Sequence, residues 1–330
     1  EPPAVELFRP HLNANLPTML DHAAITLRHP NRRAVFEISA ALTAGFRRSL
    51  DRLSFTEIHT PKIVASATES GANVFAIDYF GKRAFLAQSP QFFKQAMVGV
   101  FERVYEVGPV FRAEPHDTAR HLAEYVSLDA EMGFVADHRD VMEVLTTAIA
   151  EMVASAAGTP AATHLGLMLP AVPVQIPSIH FSDALALAGA DPEERDLSPE
   201  HERAVGEWAL NRHGSDFVFV EGYPMAKRPF YTRADPARPR YSNSFDLLFR
   251  GLEIVTGGER LHRYADYVGA LMERGESIEA YADYLEAFRC GMPPHGGFAI
   301  GLERFLARLL GAGNIRETTL FPRDLHRLTP

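Results

Sequence analysis

The chain of 330 residues has a single cysteine and a single tryptophan. One cysteine excludes a disulfide framework and a cysteine-built zinc site within one chain. Cys290 itself is expected to be a small buried apolar residue. No apolar run approaches the roughly 20 residues a membrane helix needs, and no secretory signal pattern is visible, so no membrane is expected and the default location is cytoplasmic. Positive charge is scarce as well: 33 Lys and Arg face 42 Asp and Glu, a formal net charge of -9. That balance excludes a protein that coats nucleic acid without specificity, although a local basic patch can still hold a few phosphates. There is no Gly-rich loop of the Rossmann or P-loop pattern, and the βαβ alternation of a doubly wound sheet is missing. A nucleotide, if one binds, must bind by another route.

What is present suffices for a large core. The chain is 46% hydrophobic and 23% charged, without low-complexity runs or internal repeats, as in an ordered globular domain with or without an insertion. Residues 1–30 are punctuated by Pro2, Pro3, Pro10, Pro17 and Pro30 and read as a lead-in. Val35, Ile38, Leu42 and Phe46 then recur at helical spacing over 31–51. Strands are expected over 55–61, 84–87 and 103–107, and helices over 91–101 and 139–156. Residues 157–175, with Gly158, Pro160, Pro170 and Pro173, read as a connector, and 176–225 as a mixed α/β stretch that pattern alone does not place. Strands return over 244–256, helices over 263–289. After a turn rich in glycine and proline, a helix runs over 302–310.

Four segments carry candidate chemistry. Tyr125, Ser127, Asp129 and Glu131 alternate with apolar residues, giving a strand with one polar face, suited to the floor of a polar site. Arg112 and Glu114, two residues apart, can share a face and grip opposite parts of one ligand. Taken singly, such a pair reads more readily as a structural ion pair. Asp246, Glu253 and Thr256 lie on a strand-like run ending in Gly257-Gly258, and their hard oxygens suit Mg²⁺. Gly296, Gly297 and Gly301 sit on an apolar strand that leads into a helix bearing Arg304. Glycine weakens a strand unless something packs on bare backbone there, and a flat purine is a candidate.

In their order along the chain these segments resemble the signature motifs of class II aminoacyl-tRNA synthetases. The 31–61 helix and strand resemble the first motif, Phe111-Arg112-Ala113-Glu114 the second, and Gly301-Leu302-Glu303-Arg304 the third. The likeness is closer to the archaeal-type aspartyl branch, through Gln88-Ser89-Pro90-Gln91-Phe92-Phe93-Lys94-Gln95, the run from Asp246 to Arg260, Gly291-Met292-Pro293-Pro294-His295-Gly296-Gly297, and the tail from Leu320. It implies an α+β fold, an antiparallel sheet flanked by helices with a small α/β insertion at about 157–225, and a homodimer.

The resemblance also implies roles. Arg112 would hold the α-phosphate of ATP, Glu114 the adenine amino group, and His121 and Arg304 the outer phosphates. Asp246, Glu253 and Thr256 would ligate Mg²⁺. Gln91, Lys94, Asp129 and Arg260 would line the aspartate pocket, with Glu69 on a loop that closes over it. The implied activity is aspartate–tRNA ligation: L-aspartate is activated with ATP and transferred to tRNA(Asp), with tRNA(Asn) left open as a second acceptor. Lys94 and Arg260 would discriminate aspartate from asparagine roughly a hundredfold or better, because a buried charge without its partner costs several kcal/mol. No histidine stands out as a general base; His116, His262 and His295 read as structural or peripheral.

Four positions depart from the family pattern: Ser70 and Ala123 replace a glycine and an asparagine, Thr256 replaces serine but keeps the hydroxyl, and Pro115 stiffens the loop after Glu114. The family's anticodon-reading barrel would precede residues 1–30. A stand-alone paralogue that uses aspartyl-adenylate without tRNA, for instance to make asparagine, is the alternative reading.

Overall fold

The structure is a computed structural model, described over residues 5–65, 73–115 and 117–329. Its strands are β1 (Thr56–Glu57), β2 (Ile63–Val64), β3 (Ala76–Tyr79), β4 (Lys82–Leu86), β5 (Arg103–Phe111), β6 (Glu124–Gly133), β7 (Ser178–His180), β8 (Phe217–Glu221), β9 (Ser244–Phe249), β10 (Glu253–Glu259) and β11 (His295–Gly301). Eight of them form one sheet in the order β1-β5-β6-β11-β10-β9-β8-β7, and β2-β4-β3 form a small second sheet. Only the two edge pairs, β1 with β5 and β7 with β8, run parallel. This is the α+β arrangement with an antiparallel sheet that the motifs implied.

One face of the large sheet carries the core. Leu128, Ala130 and Met132 of β6 and Phe298 and Ile300 of β11 pack there against the Pro30–Arg52 and His138–Ala157 helices. Ile38, Leu42 and Phe46 of the first helix are fully buried, as their spacing predicts. The two helices cross closely at Gly45, where a Cβ would lie 2.8 Å from both the Glu151 carbonyl oxygen and the Met152 Cα; a larger residue would push them apart.

The opposite face is polar. Cross-strand register aligns Glu106 with Asp129, Asp129 with Ala299, Ala299 with Thr256, and Thr256 with Asp246. A row with an acid or a hydroxyl on four strands and Ala299 on the fifth therefore crosses β5-β6-β11-β10-β9. Side chains alternate faces along a strand, so each strand can feed the core and this row at once.

Several local expectations change. The strand expected over 55–61 pairs only at Thr56–Glu57, because Pro61 ends what little ladder an edge strand of this length can form. The 157–175 connector contains a short helix, Pro160–His164, opened by a Thr159 cap and a proline at its first turn. The 176–225 stretch supplies β7 and β8, which extend the main sheet, and the Phe181–Ala188 and Pro199–His213 helices. The lead-in holds two short helices, Leu16–Asp21 and Ala23–Thr26. Cys290 is exposed, not buried: it caps the Ala282–Arg289 helix on the side turned from the core. No described helix is long and apolar enough to cross a membrane.

Candidate active site

A cavity of about 860 Å³ opens over the polar face of the large sheet. Residues from all the candidate segments line it, and its two ends differ in character.

The inner end is buried. The Gln91–Phe101 helix turns Gln91, Lys94, Gln95 and Val98 inward, an i, i+3, i+4, i+7 stripe that is normally apolar. Three of those four residues are polar, so the helix carries chemistry into the interior. Lys94 Nζ lies 3.0 Å from Asp129 Oδ1 and 3.2 Å from Glu131 Oε2. It also donates to the carbonyls of Phe298 and, at 3.4 Å, Ala130. Arg260 Nε donates to Glu131 Oε1 at 2.9 Å, and its Nη2 to the Gly297 carbonyl. Burial would raise the Glu131 carboxyl, but Arg260 and Lys94 hold it below the usual range. Burial would lower the Arg260 guanidinium, yet Glu131 pushes it upward. Two cations and two anions thus neutralise one another with most of their hydrogen bonds made, the condition under which buried charge is tolerable. Asp129 also accepts from Ser127 Oγ. Gln91 Nε2 is buried and makes no hydrogen bond within the structure; as a donor on the cavity wall it is available to a ligand.

The outer end is looser. Arg112 leaves β5 with its backbone N–H on the Ala123 carbonyl, and its guanidinium lies over the Tyr125 ring at 5.8 Å. Its Nη1 is 3.9 Å from Glu114 Oε1, and Glu114 Oε2 is 3.8 Å from His121 Nε2. Across the cavity, Leu302, Phe305, Leu306 and Leu309 bury one stripe of the Leu302–Leu310 helix, which turns Arg304 toward the opening. Arg304 Nη1 reaches the Glu253 carbonyl at 3.3 Å and the Glu253 carboxylate at 3.9 Å. An arginine fork spaced as widely from its acid as Arg304 is can donate to phosphate oxygens.

Thr256 Oγ1 donates to Glu253 Oε1 at 3.0 Å, so the two expected metal ligands adjoin one another. Asp246, their neighbour in the row, is engaged differently: Arg228 Nη2 lies 2.9 Å from its Oδ1. Burial pushes the Asp246 carboxyl up to about 6 in spite of Arg228. No group of three or more His, Cys, Asp and Glu able to hold a metal occurs among the described residues. The open Glu253–Thr256 oxygens fit a hard cation that takes its remaining ligands from phosphate and water.

Of the expected residues, Gln91, Lys94, Arg112, Glu114 and His121 line the cavity, as do Glu253, Thr256, Arg260 and Arg304. Asp129 and Asp246 lie buried beneath it. Glu69, with Ser70, and His116 fall outside the described residues. Two residues without an expected role take part: Glu131 joins Lys94 to Arg260, and Arg228 holds Asp246. The alternation that singled out Asp129 already carried Glu131; nothing local marked Arg228.

The purine reading of the β11 glycines needs correction. A Cβ at Gly297 would lie 2.0 Å from Glu131 Oε2, and one at Gly296 2.7 Å from the Gly258 carbonyl. These two glycines make room for the protein's own carboxylate and backbone. Of the three, only Gly301 borders the cavity. His295 is structural, as read: its Nδ1 lies 2.9 Å from the Pro293 carbonyl and its Nε2 3.0 Å from Gln95 Nε2. Burial lowers it to about 4, so the ring is neutral.

The profile of a family described as "tRNA synthetases class II (D, K and N)" matches residues 15–325. The chain is 50% identical over 335 residues to a Thermus thermophilus protein named aspartate–tRNA(Asp/Asn) ligase, covering 100% of this chain and 79% of that one. It is 43% identical over 327 residues to a Picrophilus torridus protein named aspartate–tRNA(Asp) ligase, covering 97% of this chain and 75% of the relative. Among solved structures it superposes on an aspartyl-tRNA synthetase from Entamoeba histolytica with a TM-score of 0.84 at 34% identity, covering 98% of this chain and 64% of that one. It superposes on an asparaginyl-tRNA synthetase from Pyrococcus horikoshii complexed with asparaginyl-adenylate with a TM-score of 0.88 at 29% identity, covering 96% of this chain and 74% of that one.

Proposed function

The chain belongs to the class II tRNA synthetases of the D, K and N group, and from that membership we propose that it works as an aspartate–tRNA ligase. It activates L-aspartate with ATP to aspartyl-adenylate and transfers the aspartyl group to the 3′ end of tRNA. The observation that carries the choice of amino acid is the buried quartet of Lys94, Arg260, Asp129 and Glu131 beside a cavity edged by Arg112 and Arg304.

The geometry supports a division of labour. The substrate ammonium meets Asp129, while its side-chain carboxylate meets Lys94 and the edge of Arg260 not used by Glu131. Gln91 contributes its unpaired N–H₂ group. Asparagine would bring an amide N–H₂ against these donors, which lack any acceptor for it. In activation, an aspartate carboxylate oxygen attacks the α-phosphorus and pyrophosphate leaves. Two anions must approach, so concentrated positive charge and alignment are the main requirements. Arg112 meets the α-phosphate, His121 and Arg304 the outer phosphates, and Glu114 accepts from the adenine amino group. Glu253 and Thr256, with Asp246 behind them, would hold a divalent cation, Mg²⁺, which would supply further positive charge at the phosphates. In transfer, a terminal ribose hydroxyl of tRNA attacks the adenylate carbonyl and AMP leaves. We place this work in the cytoplasm.

The same reading makes the protein a homodimer. The short edge strand β1, with Val100, Phe101 and Phe134 exposed near the β5–β6 end of the sheet, supports an interface there. Sedimentation should give a dimer; a monomer at micromolar concentration removes this part of the proposal.

The test of function is pyrophosphate–ATP exchange driven by aspartate, followed by the fate of labelled aspartate given tRNA(Asp), tRNA(Asn) or ammonia. Exchange with aspartate and label on tRNA is the expected result. Equal exchange with asparagine would remove the roles of Lys94 and Arg260, and label in free asparagine would replace the ligase reading.

A further inference from the structure

Arg316 lies outside every segment given a role so far, yet it is nearly buried and joins the 117–121 loop to the C-terminal tail. Its guanidinium has Asp117 Oδ1 2.8 Å from Nη2, and it donates to the Thr118 carbonyl at 3.1 Å from Nη1. On its other edge it binds Asp324 of the C-terminal tail, and at 3.4 Å it meets Asn314 Oδ1. Asp324 is itself held by the backbone N–H groups of His326 and Arg327. Two backbone bonds run alongside: Ile315 N–H to the Ala119 carbonyl, and Ala123 N–H to the Arg323 carbonyl. Arginine suits such a junction because its planar fork offers five donors in fixed directions.

The consequence reaches the cavity through Thr118. Its hydroxyl is 2.6 Å from His121 Nδ1, and the other ring nitrogen of His121 faces Glu114 at 3.8 Å. The loop between β5 and β6 has few other anchors here: among the described residues, its backbone N–H groups from 117 to 120 meet no backbone carbonyl, and the Arg120 N–H donates within the loop to Thr118 Oγ1. We propose that Arg316 is a positioning residue for ATP: it clamps the 117–121 loop to the C-terminal tail and so sets His121 at the triphosphate end of the cavity. This rests on the reading of the outer end as the ATP site. Arg316 touches no substrate; it acts through Asp117 and Thr118.

The test uses the full chain and does not depend on turnover. ATP and aspartate binding are each titrated by calorimetry, with thermal unfolding alongside. Arg316→Ala is expected to weaken ATP binding about tenfold and aspartate binding less than about twofold, the pattern of a misplaced contact at one end of the site. Arg316→Lys keeps the charge without the fork and should recover part of the loss. Thr118→Val, which leaves Arg316 intact, should weaken ATP binding about threefold, a single lost hydrogen bond. Unchanged ATP affinity in folded Arg316→Ala, or equal losses for ATP and aspartate, overturns the clamp. Should Arg316→Ala fail to fold, Asp117→Asn and Thr118→Val decide: ATP affinity unchanged in both overturns it, and weakened ATP binding with intact aspartate binding supports it. Wild-type chain that binds ATP without aspartate-dependent exchange defeats the functional reading alone, and the ATP titrations still judge the clamp. Wild-type chain that binds no ATP defeats both.

Discussion

The two ends of the cavity are built on opposite principles. At the inner end Lys94 is 1% exposed and Glu131 0%, with contacts of 3.0–3.2 Å. At the outer end Arg304 and Glu253 are each 34% exposed and stand 3.9 Å apart. Burial makes the inner charges expensive unless every partner is present, so that end is assembled before any ligand arrives and can reject a wrong side chain. Exposure leaves the outer charges cheap to separate, which suits the proposed role of Arg304 in meeting phosphate. In the proposed function, selectivity falls to the tightly paired end and the approach of two anions to the loosely paired one.

The strongest challenge to this contrast is Arg304→Ala. It should lower aspartate-dependent exchange by about a thousandfold or more, while the melting temperature moves little, because the arginine is half-exposed and its contacts are long. A large loss of stability would place Arg304 in the same class as the inner charges. Lys94→Met is the converse. Removing one member of the buried quartet leaves Asp129 without its cation and Glu131 with Arg260 alone, and chemical denaturation should report about 3–5 kcal/mol of lost stability. If Lys94→Met unfolds no more readily than Arg304→Ala, the distinction between the ends disappears.

A smaller effect sharpens the boundary between them. Glu303, next to Arg304, is buried and accepts the Val126 N–H with both oxygens at 3.0–3.1 Å. Burial raises its carboxyl from 4.5 to about 7. Between those values the folded state keeps a proton that the unfolded chain has released, so Glu303 costs stability as pH rises through that window, and the cost is complete above it. Glu303→Gln keeps one acceptor for Val126 and removes the charge. Its gain over wild type should be near zero at about pH 4 and grow to at most about 3 kcal/mol by about pH 8. Denaturation curves at both pH values check this; a gain independent of pH would show that the carboxyl titrates in the fold as it does in the unfolded chain.

Local pattern was informative where one residue's neighbours in the chain are also its neighbours in space. The Gln91–Phe101 and Leu302–Leu310 helices end where their residue pattern places them. The alternation over 125–131 identified the polar floor because a strand sends every second side chain to the same face. It was less informative at β1, which survives as two residues on a sheet edge, and at 176–225, whose strands join the sheet only because β8 pairs with β9 and β7 with β8. Cys290 was misplaced because composition gives a residue's average burial and not the direction its helix faces.

Sequence alone settled the ordered set of motifs, the family they resemble, and the residue types available for binding an anion, an amine and a hard cation. It could do so because those properties belong to side chains and to short-range periodicity. Tertiary structure alone decided which acid meets which base: Glu131 between Lys94 and Arg260, Arg228 on Asp246, Arg316 on Asp117 and Asp324. Those pairs are separated by 8 to about 200 residues, and what joins them is the packing of strands and loops whose order in space differs from their order in the chain. Charge pairing falls off within a few ångströms, so it can be read only once the fold has brought the partners together.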